Sequence, residues 1–182
     1  MPNALKIASL PVLMFLFDCS AQQFPAPRPV GLKLLPPDEV SVAVLLKQKV
    51  TLQTGERQQQ FLVVARFQQH RLELVVLSPT GQKLLTLDYD GENLVQDTLS
   101  SIDLRGKEIL AIIQFALWPE HSINIHYPKK DGWVVEIAPE KRILFTASGM
   151  LLKISYQADE LIVDNHIQDY RVIVHTLERT EI

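Results

Sequence analysis

From residue 42 onward one rhythm dominates the chain: apolar side chains recur at every second position, broken by tight turns. A period of two is the side-chain spacing of a β-strand, and a helix cannot accommodate it for long. The segment "VAVLLKQKVTLQT" (42–54) ends at Gly55. "QQFLVVARF" then sets Phe61, Val63, Ala65 and Phe67 on one face and Leu62, Val64 and Arg66 on the other. "RLELVVLS" groups Leu72, Leu74 and Val76 in the same way, "PTG" turns the chain into "QKLLTLDY", and "YDG" turns it again. Short strands joined by Gly- and Pro-containing turns predict an antiparallel meander.

One segment departs from that rhythm. "DLRGKEILAIIQFALWP" carries Ile109, Ile112, Ile113, Ala116 and Leu117 at helical spacing. Pro119 closes it, and Asp103 is placed to cap its first turn. Beyond it strands are expected near 122–127, 133–138, 142–147, 151–157, 160–166 and 170–177. The prediction is therefore a mainly β fold of about eleven strands with one clear helix after the fifth.

Several strands are apolar on both faces, as in Val63 with Val64, Leu74 with Val75, and Ile173 with Val174. A sheet with one wet face alternates more cleanly. Two arrangements account for this. A strongly curved sheet can line an oily hollow with its concave side, or a tightly rolled barrel can fill its interior with the same side chains. Periodicity does not separate them.

The N-terminus is of another kind. Residues 7–17, "IASLPVLMFLF", form an apolar run of eleven preceded by Lys6, too short for a bilayer-spanning helix of about 20 residues. It has the length of a signal-peptide core. The chain's one cysteine, Cys19, follows directly, and five of the eleven prolines fall between residues 20 and 38. The predicted organisation is a signal segment over 1–18, an extended Pro-rich tether over 19–38 and a β domain over 39–182. The placement of Cys19 resembles a bacterial lipoprotein signal, although "LFDC" has Phe17 and Asp18 where that signal carries small residues. The resemblance implies an acylated Cys19 as the membrane anchor, and Ser20 beside it implies an outer-membrane address.

Signals for chemistry are sparse. A net charge of −3 and the absence of a basic run of five residues give no sign of a nucleic-acid partner, and none is expected. No phosphate-binding glycine loop, Gly-x-Ser-x-Gly elbow or Cys-x-x-Cys pair occurs. The five histidines are scattered, and His121 and His126, on a predicted strand, would point to opposite faces, so no metal site is expected. Asp88 and Asp90 bracket Tyr89 but read as part of a hairpin turn. Trp118-Pro119 reads as a helix stop with a packed indole. No enzyme activity and no cofactor are predicted.

The hairpin "LELVVLSPTGQKLLTLDYDGENL" resembles that of LolA/LolB-type lipoprotein carriers and receptors. With "IIQFALWP", "EKRILF", "LLKISY" and "YRVIVHTLE", the chain is most similar to LolB-like outer-membrane lipoproteins encoded with aryl-polyene biosynthesis genes. That resemblance, over roughly 40–178, implies an antiparallel half-open barrel of about eleven strands with a helical lid. It also implies a hydrophobic cavity for acyl or polyene chains, a role in lipoprotein or polyene-lipid transfer, and a monomer facing the periplasm that meets a carrier protein there. Carried over by position, the lining would be Phe61, Val63, Ala65, Phe67, Leu72, Leu74, Val76, Leu85 and Leu87. It would continue through Ile154, Tyr156, Val172 and Val174, with Leu117 and Trp118 near the lid. A structural or assembly accessory with a filled core, contacting a partner protein, is the alternative.

Overall fold

The computed structural model describes residues 31–98 and 105–182. Strands β1 (Val44–Thr54), β2 (Arg57–Gln68), β3 (Arg71–Leu77), β4 (Lys83–Tyr89) and β5 (Leu94–Thr98) form a first antiparallel meander. Helices α1 (Gly106–Leu117) and α2 (Glu120–His126) follow. A second meander runs through β6 (Val134–Ala138), β7 (Lys141–Thr146), β8 (Gly149–Tyr156), β9 (Glu160–Asn165) and β10 (Tyr170–Glu181). Pairing of β1 with β10 joins the two into one ten-stranded open sheet, ordered β5-β4-β3-β2-β1-β10-β9-β8-β7-β6.

That order explains where the helices must lie. The chain leaves the first meander at one edge of the sheet, β5, and re-enters the second at the opposite edge, β6. The crossing segment holds both helices, and α1 passes over the concave side. Gly106 allows its close approach: a Cβ there would come within 2.3 Å of Leu87 Cδ2 and 2.4 Å of Gln96 Oε1.

The strands form where alternation predicts them. In β3 every second residue, Leu72, Leu74 and Val76, is buried, and the same register continues in Phe61, Val63, Ala65 and Phe67 of β2. The "PTG" turn closes with the Gly81 N–H donating to the Ser78 carbonyl at 2.9 Å, and Gly81 takes φ +86°, a conformation that favours glycine. Among the described residues the strand count is ten rather than eleven, because the segment expected as a strand over 122–127 is helix α2. Its Ile123 and Ile125, two apart, would share a face on a strand. On the helix they diverge: Ile123 is fully buried and Ile125 is 64% exposed. The described residues accordingly hold two α-helices, not one.

The proline-rich arm joins the domain earlier than its composition suggests. Leu35 is fully buried. Its N–H donates to Gln114 Oε1 at 2.9 Å, and Gln114 Nε2 donates back to the Leu35 carbonyl at 2.6 Å. Trp118 Nε1 donates to the Pro36 carbonyl at 3.0 Å, and Lys33 N–H donates to the Tyr127 hydroxyl at 3.0 Å. These bonds satisfy backbone groups that would otherwise be stranded against apolar surface. The expected signal segment 1–18, Cys19, the first part of the tether and Asp103 lie outside the described residues. Arg105 occupies the N-cap of α1 without a side-chain capping bond.

A hollow beneath helix α1

Helix α1 has two apolar stripes, and they meet different surroundings. Leu110, Ala111 and Phe115 are buried in the main core. The other stripe, Ile109, Ile112, Ile113, Ala116 and Leu117, borders a hollow of about 280 Å³ between the helix and the concave sheet. Arg105 and Glu108 extend that stripe at its N-terminal end. Across from the helix stand Val50 and Leu52 of β1, Phe61 and Val63 of β2, and Leu74 and Val76 of β3. Leu161 and Val163 of β9 with Val172 and Val174 of β10 complete the wall. Leu117 is 39% exposed, and Val50, Leu52, Leu161, Val172 and Val174 keep partial contact with solvent. Such half-covered apolar groups would normally be packed against something.

The residues predicted to line a cavity divide in two. Phe61, Val63, Leu74, Val76, Leu117, Val172 and Val174 border the hollow. Ala65, Phe67, Leu72, Leu85, Leu87, Trp118 and Ile154 do not; they are packed into the solid core. Trp118 is fully buried and meets Phe67 edge-on, ring centroids 5.8 Å apart. Tyr156 reaches the helix, its hydroxyl donating to the Ala116 carbonyl at 2.7 Å. Sequence reasoning did not assign Val50, Leu52, Leu161 and Val163, although their alternation places them in register with the predicted face. It also passed over the polar residues at one end, Arg105, Glu108, Gln168 and Tyr170, for which one sequence carries no local signal.

Both ends of α1 are tied to the second meander. At the C-terminus Arg142 Nη1 donates to the Phe115 and Trp118 carbonyls, each at 2.7 Å. With Tyr156 this satisfies three of the helix's last acceptors and sets a cation at the negative end of its dipole. At the N-terminus the Glu108 carboxylate accepts from Asn165 Nδ2 at 2.7 Å, from the Tyr170 hydroxyl at 3.1 Å and from Gln168 Nε2. Burial, and then the Glu108 charge, push the Tyr170 hydroxyl well above its ordinary value, so it stays protonated as a donor.

Other groups that could suggest chemistry have structural roles. Ser122 Oγ and His126 Nε2 both hydrogen-bond the carboxylate of Glu39. The acid therefore stands between hydroxyl and imidazole, whereas an activated nucleophile needs the base next to the hydroxyl. Asp88 pairs with Arg71 across β3 and β4, and Asp90 accepts the Glu92 and Asn93 N–H groups in the turn that follows. Among the described residues no three His, Cys, Asp or Glu side chains gather as a metal site, and no helix is long and apolar enough to cross a membrane.

Residues 45–178 match the model of a family described as "Protein of unknown function (DUF3261)". No curated protein matches the chain. Among solved structures, a candidate outer membrane lipoprotein-sorting protein domain from Vibrio parahaemolyticus aligns at 8% identity and a TM-score of 0.42, covering 80% of this chain and 87% of that one. A DUF1329 family protein from Desulfovibrio piger ATCC 29098 aligns at 7% identity and a TM-score of 0.38, covering 79% of this chain and 87% of its own.

Proposed function

The chain belongs to the DUF3261 family of proteins of unknown function, and we propose that it binds a single apolar chain, acyl or polyene, in the hollow beneath α1. The observation that carries this reading is the hollow itself: about 280 Å³ walled mostly by valine, isoleucine and leucine and left unfilled by the side chains of the described residues. A methylene takes up about as much room as a water molecule, roughly 30 Å³, so the space suits roughly nine or ten carbons. At about 0.8 kcal/mol per buried methylene the gross gain is roughly 8 kcal/mol. Immobilising the chain offsets part of that, which leaves an affinity near micromolar or weaker. Binding of that strength suits a protein that accepts a chain and gives it up again. No covalent step is needed.

The N-terminal features extend the proposal. Acylated at Cys19, the protein would stand on the outer membrane facing the periplasm, receiving chains from a soluble carrier or passing them on in lipoprotein or polyene-lipid transfer.

Native mass spectrometry of the protein purified from membranes tests the binding reading, with co-purified lipid as the expected result. A lipid-free protein that also fails to bind a fluorescent fatty acid would overturn it. For the anchor, Cys19→Ala is expected to release the protein from the membrane fraction, and a variant still attached would refute acylation at that residue.

A further inference from the structure

The hollow has two unlike ends. It follows α1 along its length, and the helix residues that border it run from Arg105 to Leu117. Toward the Leu117 end the wall is apolar apart from Gln48, whose Nε2 donates to Thr176 Oγ1 at 3.2 Å. At the Arg105 end four polar side chains converge: Arg105, Glu108, Gln168 and Tyr170.

Three of those four are already engaged with one another. Gln168, Tyr170 and the nearby Asn165 all donate to the Glu108 carboxylate, which meets its demand for donors. The Arg105 guanidinium stands apart. Its nearest partner is Glu108 Oε2 at 3.9 Å, and it makes no hydrogen bond to any other described residue. Its side chain borders the end of an apolar slot and is 60% exposed, so its five donors are open to a carboxylate or a phosphate.

Arg105, Glu108 and Gln168 also border a second, more polar cleft of about 580 Å³, shared with Lys107. Asp131, on its far side, pairs with Lys33 at 3.5 Å. The polar end of the hollow therefore adjoins a cleft bordered by two cations, Arg105 and Lys107, and two carboxylates, Glu108 and Asp131, each already engaged.

We propose that the hollow takes an anionic amphiphile in one orientation, its carboxylate or phosphate head at Arg105 and its methyl end toward Leu117. This rests on the chain-binding reading and adds the head-group class and the polarity of binding. The reverse orientation would place a charge among Ala116, Leu117 and Leu161, where nothing compensates its desolvation.

The test compares probes that share one chain, using the full-length protein. Decanoate should bind at least about tenfold more tightly than decanol, the expected contribution of one charge-assisted hydrogen-bond pair. Arg105→Gln should erase that difference while leaving decanol affinity unchanged, which also shows that the hollow is intact. Arg66→Gln, on the convex face, should behave as wild type. Decanoyl lysophosphatidylglycerol runs beside decanoate, and whichever probe loses more affinity in Arg105→Gln identifies the source of the anion as phosphodiester or free carboxylate. Equal affinity of wild type for decanoate and decanol would overturn the proposal and leave chain binding standing. Equal losses for decanoate and decanol in Arg105→Gln would do the same. If wild type binds none of the three, the chain-binding reading falls and this proposal with it.

Discussion

Two regions of the concave face obey the same period-two pattern and end in different states. On the two flanks of the sheet, β3 with β4 and β7 with β8, inward positions hold Leu72, Leu85, Leu87, Leu144 and Leu152, closed by Phe67, Phe115, Trp118, Tyr127 and Trp133. In its centre, on β1, β10 and β9, they hold Val50, Leu52, Leu161, Val163, Val172 and Val174, with Ile113 and Ala116 of the helix on the same hollow. Large residues span the gap between sheet and helix in the first region. In the second, four valines with Leu52 and Leu161 stop short of the helix, where Ala116 presents only a methyl group, and leave a hollow. Alternation decides which way a side chain points; only its size decides whether the space ahead is filled.

The comparison breaks most visibly under truncation. Leu87→Ala removes a fully buried side chain that packs against the start of α1, and should cost about 2–5 kcal/mol. Leu161→Ala removes a partly exposed side chain that already faces empty space, and about 1 kcal/mol is expected. Urea unfolding of both variants checks this. Equal costs would mean that the hollow region is as tightly packed as the other.

This difference in filling also marks the limit of what the sequence made legible. The inward register of β2 and β3 was readable because turns such as "PTG" bound the strands and a slip of one residue would reverse every face. Whether Val63 meets a ligand or Phe67 meets a tryptophan was not readable, because both sit on one strand in one pattern. Trp118 belongs to the core through Phe67 and the Pro36 carbonyl, contacts that lie far away in sequence. Helix α2 was misread since seven residues hold too little periodicity to tell a helix from a strand, and Ile123 with Ile125 mimicked alternation. The buried part of the arm, Leu35 above all, was hidden by the prolines around it.

The clamps on α1 sharpen the comparison at the next level. Arg142 bonds two carbonyls at the end of the helix, and Arg142→Met keeps the length of the side chain while removing both donors. A loss of about 1.5–3 kcal/mol is expected, because the carbonyls lose a charged partner and Trp118 loses part of its seating. If urea unfolding shows no loss, the clamp is not what fixes the helix over the sheet. Filling the hollow should matter less to stability and more to binding. Val172→Phe places a ring into the free space, is expected to change stability by less than about 1.5 kcal/mol, and should weaken a fluorescent fatty acid more than about tenfold. Unchanged binding would place the chain elsewhere.

The smallest effect is expected at Glu39, where the arm meets α2. Burial pushes this carboxyl up, but hydrogen bonds from Ser122 and His126, together with the charges of His126 and His121, outweigh it and hold the group below its ordinary value of 4.5. An acid whose folded value lies below its unfolded one stabilises the fold fully above the unfolded value and loses that contribution as pH falls through the folded one. Glu39→Gln should therefore cost stability near neutral pH and converge on wild type as the solution is acidified below about pH 4.5. Urea unfolding followed from about pH 6 to about pH 3 reads this directly. The partly exposed setting and solvent screening keep the effect modest. A gap between wild type and variant that stays constant through that range would show that the arm is held instead by the uncharged bonds of Gln114, Trp118 and Tyr127, none of which titrates there.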